Sequence, residues 1–213
     1  MAIELTVSPD LAPILRIGAL SCDVTRVLAD DSGLAASIAQ LERATRAGDG
    51  LDVGPARQLY RSVGIDPTKT RPSSEALLRR VRRGDPFPRI NTLVDICNWC
   101  SLEAQLPYGL YDLDRLEPPV TVRRGRPGEA YAGIRKDEVH LDGRLTLADA
   151  IGPFGNPTSD SARTMVTTSA RRLLVVVFGP AIITAAAITR VLDMTARRYA
   201  QFAGGVETWR WVA

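Results

Sequence analysis

The sequence predicts a mixed α and β fold, and three observations carry that reading. Stretches with strand-like alternation or β-branched runs lie near both ends and in the middle: Ile3 to Val7, Pro13 to Leu20, Val120 to Arg123, Glu138 to Leu141, Arg171 to Phe178 and Val206 to Val212. Segments of helical periodicity separate them. The chain has 213 residues with 45% hydrophobic content and shows no internal repeat, which is enough for one large domain with a sizeable core.

The N-terminal 50 residues read as two strands and a helix that add to one edge of the main sheet. The helix starts at Ser32, places Leu34, Ile38 and Leu41 on one face, and ends at Gly48-Asp49-Gly50. A second helix begins at Gly54 or Pro55, with Ala56, Leu59, Tyr60 and Val63 inward, and Gly64 closes it. A third starts after Pro72, where Ser73 or Ser74 can cap it and Glu75 suits the positive end of the helix dipole. Its apolar stripe is Leu77, Leu78 and Val81, flanked by Arg79, Arg80, Arg82 and Arg83. Gly84 stops it, and Pro86 and Pro88 keep the next residues extended.

A fourth helix follows from about Asn91. Asp95 and Asn98 lie one turn apart on it, and such a polar pair costs stability in an apolar helix unless it has partners. Two readings stand. Both side chains bond to nearby backbone and fix the loop from Leu106 to Leu113, or Asn98 faces a pocket and helps to hold a ligand.

Pro107 to Leu110 reads as a loop in which Gly109 supplies backbone freedom. Arg123, Arg124 and Arg126 form a basic turn, either a solvated hairpin tip or a phosphate contact. Asp142-Gly143 is a hairpin signal. Gly152 to Thr168 is rich in turn formers and reads as a loop. Within it Asn156 and Asp160 either tie the loop to itself or, with Ser159 and Thr164, contact a ligand. Arg171 to Phe178 is a strand buried on both faces, and Pro180 opens the longest helix, to about Ala203. Trp209 and Trp211 share one side of a last strand, covered within the chain or by a second copy in a homo-oligomer.

Composition excludes several chemistries. The basic surplus is 3 charges, too small to diagnose nucleic-acid binding, although the basic residues are overwhelmingly arginine, which suits bidentate phosphate contact. Cys22, Cys97 and Cys100 make no disulfide framework and read as buried free thiols in a reducing, cytoplasmic setting. With His140 as the only histidine, neither a zinc site nor a serine or cysteine triad is expected, and no cofactor motif is present. The N-terminus lacks the pattern of a signal peptide, and the run from Leu173 to Ile188 is interrupted by Gly179-Pro180, so no membrane span is expected.

The runs RPSSEALLRRV, INTLVDICNWCSLE and LPYGLYDLDRL resemble the B3/B4 domain of the phenylalanyl-tRNA synthetase beta chain, and freestanding proteins built on that domain more closely still. The similarity continues through LDGR and GPFGNPTSDSARTMVTT and covers roughly Val53 to Pro180, with residues 181–213 added as a C-terminal helix and tail. The resemblance implies an α+β fold of three layers, with a sandwich-like sheet core and packed helices in a single domain over residues 1–213.

It also implies an editing module, which hydrolyses the ester of tyrosine wrongly attached to the phenylalanine tRNA at a water-positioning site without metal. A second hydrolytic site adds discrimination that one binding step cannot reach. Asn98 matches the pocket asparagine of that family and is expected to orient the amino acid or the attacking water. Cys97 stands where the synthetase has threonine, and Gly109 where it has a pocket histidine, which would open space for another aminoacyl group. Asn91, Asp95, Asn156, Ser159, Asp160 and Thr164 are further substrate contacts on this reading. Arg79, Arg83, Arg123, Arg124 and Arg126 are the RNA-binding candidates. An aminoacylation core does not fit in this length, so the chain is expected to act as a freestanding factor. Hydrolysis of aminoacyl-tRNA, binding of aminoacyl-tRNA or an amino acid without catalysis, and aminoacyl transfer to an acceptor other than water all remain open.

Overall fold

The computed structural model describes residues 3–48, 50–135 and 138–213. Its central layer is built on the apolar run near the C-terminus. Arg172–Pro180 (β9) lies inside a four-stranded sheet whose other strands are Leu15–Asp23 (β2), Tyr108–Asp112 (β3) and Val206–Val212 (β10), in the order β10-β2-β9-β3. All of these pairings are antiparallel. Leu173 through Phe178 are completely buried. Each such side chain contributes roughly 1.5–3 kcal/mol on burial, so the sheet must be covered on both faces.

Alternation along β9 divides the cover. Leu173, Val175 and Val177 pack with the helices Ser32–Arg46 (α1), Ser73–Arg82 (α3), Thr92–Ala104 (α4) and Ala185–Ala203 (α5). Leu174, Val176 and Phe178 face a second four-stranded sheet and the helix Gly54–Ser62 (α2). The second sheet runs β1-β4-β7-β8, formed by Leu5–Val7 (β1), Val120–Arg124 (β4), Leu145–Ala148 (β7) and Pro153–Gly155 (β8). A small ribbon pairs Ala130–Tyr131 (β5) with Val139–His140 (β6). Helices, sheet and sheet therefore form three layers, the α+β arrangement expected.

Several local expectations are corrected. The N-terminal strands do not simply extend an edge: β2 sits between β10 and β9. Its Gly18 admits α5 so closely that an added Cβ would lie 2.3 Å from Ile188 Cγ2. The loop expected at Pro107 to Leu110 is the start of β3, because Tyr108 through Asp112 pair with Val177 through Leu173. The turn-rich stretch from Gly152 contains β8, and β7 before it joins β8 to β4; alternation was too short there to show.

Of the strand expected at Glu138 to Leu141, only Val139–His140 pairs. Pro180 closes β9 instead of opening a helix, and α5 begins at Ala185, capped by Thr184 Oγ1 accepting from the Ala187 N–H at 3.1 Å. Neither Ser73 nor Ser74 caps α3; Pro72 occupies that position without a side-chain bond, and Ser73 Oγ donates to the Pro157 carbonyl. The stop after α1 includes Gly48 at φ +92°, with Asp49 outside the described residues. Trp209 and Trp211 are partly buried against the second-sheet core.

The Gly18 contact yields a test of the helix–sheet packing. Gly18→Ala should lower stability by about 1–3 kcal/mol through overpacking against Ile188. An unchanged thermal denaturation curve would show that α5 does not lie this close.

Candidate functional site

A cleft of about 630 Å³ opens where α3, α4 and the turn after β8 meet. The turn forms its floor. Asn156 Oδ1 accepts from the N–H groups of Thr158 and Ser159, both at 2.8 Å, which folds residues 156–159 tightly. Neighbouring elements clamp it. Tyr60 of α2 donates to the Pro157 carbonyl at 3.0 Å, and Ser73 of α3 reaches the same oxygen at 3.3 Å. Tyr131 of β5 donates to the Ser159 carbonyl at 2.5 Å. Tyr111 of β3 donates to Asp160 Oδ1 at 2.7 Å. Asn156 thus ties the loop to itself, and the turn it makes lines the cleft.

Asp160 is the electrostatic centre of the floor. Burial removes water from its carboxylate and pushes its pKa up to about 7, against the opposing hydrogen bonds from Tyr111 and from the Leu110 main chain. As a residue Asp160 is partly exposed, and it lines the cleft. A carboxyl group whose pKa is raised towards neutrality is suited to proton transfer.

The α4 wall carries Cys97, Asn98 and Ser101. Asn98 is half-buried, and among the described residues its side-chain amide has no hydrogen-bond partner. Asp95 does not fix the loop from Leu106 to Leu113, since its partners lie before α4, and Asn98 lines the cleft. Asp95 is buried, accepts from the Ile90 N–H at 2.8 Å and pairs with Arg89 Nε at 2.8 Å. Burial pushes its pKa up despite these partners. Burial also pushes the Cys97 thiol well above its ordinary range, with Cys100 and Asp160 adding to the effect, so Cys97 is a neutral apolar lining.

The cleft is also lined by basic residues. Arg71 before α3, Arg79 and Arg80 on it and Arg83 at its C-cap line the cleft. Arg79 Nε donates to Glu75 Oε1 at 3.0 Å, while Arg57 holds both oxygens of that buried carboxylate at 2.7 Å. Arg71 shares the same carboxylate at 3.9 Å. Arg57 and the other neighbouring arginines hold Glu75 below the usual carboxylate range. Several guanidinium groups thus share one acid, and Arg83, paired with exposed Asp85, remains 70% exposed. The rim keeps a positive surplus that suits phosphate.

The structure brings together Asn98, Cys97, Asn156, Ser159, Asp160, Arg79 and Arg83. Other expected site residues lie apart. Asn91 caps α4, with Oδ1 accepting from Leu93 and Val94 N–H groups. Thr164 is buried, and its carbonyl holds the Asp112 N–H. Arg123 is held in a bidentate pair with Glu129, and Arg124 pairs with Asp10. Arg126 does not line the cleft either.

Gly109 overturns one expectation. No space opens above it, because a Cβ there would lie 2.2 Å from Tyr111 Oη. Tyr111, Tyr60 and Tyr131 escaped sequence reading, since each acts through a contact distant in the chain that no local pattern encodes. Among the described residues, no group of three or more His, Cys, Asp or Glu is arranged to hold a metal ion. No described helix is long and apolar enough to cross a membrane.

Comparisons with known proteins identify the family. The profile of the B3/4 domain matches residues 55–208. The phenylalanine–tRNA ligase beta subunit of Xanthomonas campestris pv. campestris is 35% identical over 158 residues, 71% of this chain and 20% of that protein. That of Carboxydothermus hydrogenoformans is 34% identical over 97 residues, 45% of this chain and 12% of that protein. The chain thus spans about a fifth of the length of the first of these relatives. The crystal structure of an N-terminal fragment of the phenylalanyl-tRNA synthetase beta subunit from Pyrococcus horikoshii shares the fold, with a TM-score of 0.54 and 14% identity over all of this chain and 55% of that one. With the profile spanning most of the chain and the three-layer architecture repeated in a solved relative, the chain belongs to the B3/4 domain family.

Proposed function

We propose that the cleft receives the aminoacylated 3′ end of a tRNA and hydrolyses its ester. The supporting observation is the convergence of a free amide at Asn98, a proton-accepting carboxylate at Asp160 and an arginine rim in one cavity. The rim takes the backbone phosphates of the nucleotide end. Asn98 donates to the aminoacyl carbonyl. Asp160 accepts a proton as water attacks the carbonyl carbon, the ester C–O bond breaks, and that proton passes to the departing ribose oxygen. The products are the free amino acid and an uncharged tRNA end. Placement in one cavity supplies most of the acceleration on this reading. The buried free thiols fit a reducing, cytoplasmic location.

Binding without hydrolysis is the second reading, and Gly109 favours it. The position of the synthetase histidine carries no side chain here, and Tyr111 fills the volume beside it. A substrate with a binding role alone would still use Asn98 and the arginine rim.

A panel of charged tRNAs separates the two. Release of amino acid above the spontaneous rate, slowed at least about tenfold by Asn98→Ala, supports hydrolysis; a tenfold loss is about 1.4 kcal/mol of barrier. Retention of the charged tRNA with no release supports binding alone. The hydrolytic rate should fall as pH drops through about 7, because protonation removes the accepting form of Asp160. A flat profile from pH 6 to 8 would exclude that role.

Affinity for tRNA should fall with added salt. Arg79→Ala with Arg83→Ala should reduce the slope of log affinity against log salt by about 1 per lost contact. A slope unchanged from wild type would remove these arginines from the phosphate path.

A further inference from the structure

The Tyr111 ring occupies a slot made by two glycines on different sheets. A Cβ on Gly109 of β3 or on Gly155 of β8 would lie 2.2 Å from Tyr111 Oη. The ring is fully buried and stands edge-on to Phe154, with centroids 4.8 Å apart at 85°. Both layers therefore fix where the hydroxyl points, and it points at Asp160 Oδ1, 2.7 Å away. We propose that Tyr111 is the positioning residue of the cleft, and that Gly109 and Gly155 lack side chains so that its hydroxyl can reach and orient the Asp160 carboxylate.

The surrounding groups leave this task to Tyr111. Tyr131, which faces Asp160 from β5, spends its hydroxyl on the Ser159 carbonyl. Cys97, facing from α4, is a neutral thiol. Arg71, Arg79, Arg80 and Arg83 line the same cleft, and among the described residues none of them is paired with Asp160. Among the described residues, the Tyr111 hydroxyl is thus the side-chain donor that holds Asp160. A hydroxyl donating to a carboxylate stabilises its charged form, so Tyr111 also lowers the pH above which the cleft carries its negative charge. The absent side chain at Gly109 gains a function on this account: glycine there is what admits the tyrosine.

This deepens the reading of the cleft as a hydrolytic site, but its test needs no tRNA. The Asp160 carboxyl carbon is followed by ¹³C NMR through a pH titration, with its resonance assigned by its loss in Asp160→Asn. Tyr111→Phe keeps the ring and removes the hydroxyl. Its Asp160 midpoint should rise by about one pH unit or more, the scale of losing a hydrogen bond to a partly buried carboxylate. Gly155→Ala keeps the hydroxyl but displaces it, and should move the midpoint the same way. If deacylation is present, its pH midpoint in Tyr111→Phe should move to higher pH with the NMR value. A Tyr111→Phe midpoint equal to wild type overturns the proposal, even where the variant is less stable. A folded Gly155→Ala protein that titrates as wild type overturns the role given to the glycines. Failure of every charged tRNA to be hydrolysed would remove the proposed reaction and leave the NMR midpoints to decide this inference alone.

Discussion

The two-sided burial of β9 is the constraint on which the molecule depends. Six consecutive apolar residues, Leu173 through Phe178, are excluded from water. A strand sends alternate side chains to opposite faces, so this run needs a separate apolar layer on each side. Helices α1, α3, α4 and α5 supply one, and the second sheet with α2 supplies the other. The layers are joined by segments that leave the second sheet and return to β9. The cleft lies on that route, where the turn after β8 passes beside α3 and α4 before the chain enters β9.

This position explains the chemistry of the floor. The turn cannot be tied down by sheet pairing alone, so side chains from α2, α3, β3 and β5 hold it. Three of these are tyrosines, whose rings pack in apolar surroundings while the hydroxyl reaches a polar partner. The result is a carboxylate fixed at the edge of the core, in little water and with few compensating donors. Its raised pKa is a consequence of that placement. The basic rim arises separately, from the helical spacing that puts Arg79 one turn after Glu75 on α3, with Arg83 at the helix C-cap.

Much of this was legible in the sequence where local rules act alone. The boundaries of α1 and α2, the buried β9 and the polarity of Asn98 followed from periodicity and from the cost of an unpaired amide. The departures in the strands share one cause, competition from long-range pairing. Pro107-Tyr108-Gly109 looks like a loop until β9 offers its hydrogen-bonding edge. Pro153-Phe154-Gly155 looks like a turn until β7 does the same. Gly109 reads as an empty place in sequence, yet a tyrosine two residues away fills the space beside it. Asn91 and Asp95 looked like ligand contacts because a cap and a buried acid use the same polar residue types. Asn98 could be separated from them only by knowing which face of α4 meets open space.

The family places this architecture beside an enzyme that charges tRNA, but the chain spans only about a fifth of that relative. The central claim concerns one cavity: that it takes an amino acid joined to a terminal adenosine. The direct measurement is a crystal structure with a non-hydrolysable aminoacyl-adenosine analogue in which an amide replaces the ester. The account predicts density for the aminoacyl group between Asn98 and Asp160, with the adenosine towards the α3 arginines. An analogue bound elsewhere on the molecule, with the cleft between α4 and the 156–160 turn left empty, would contradict it.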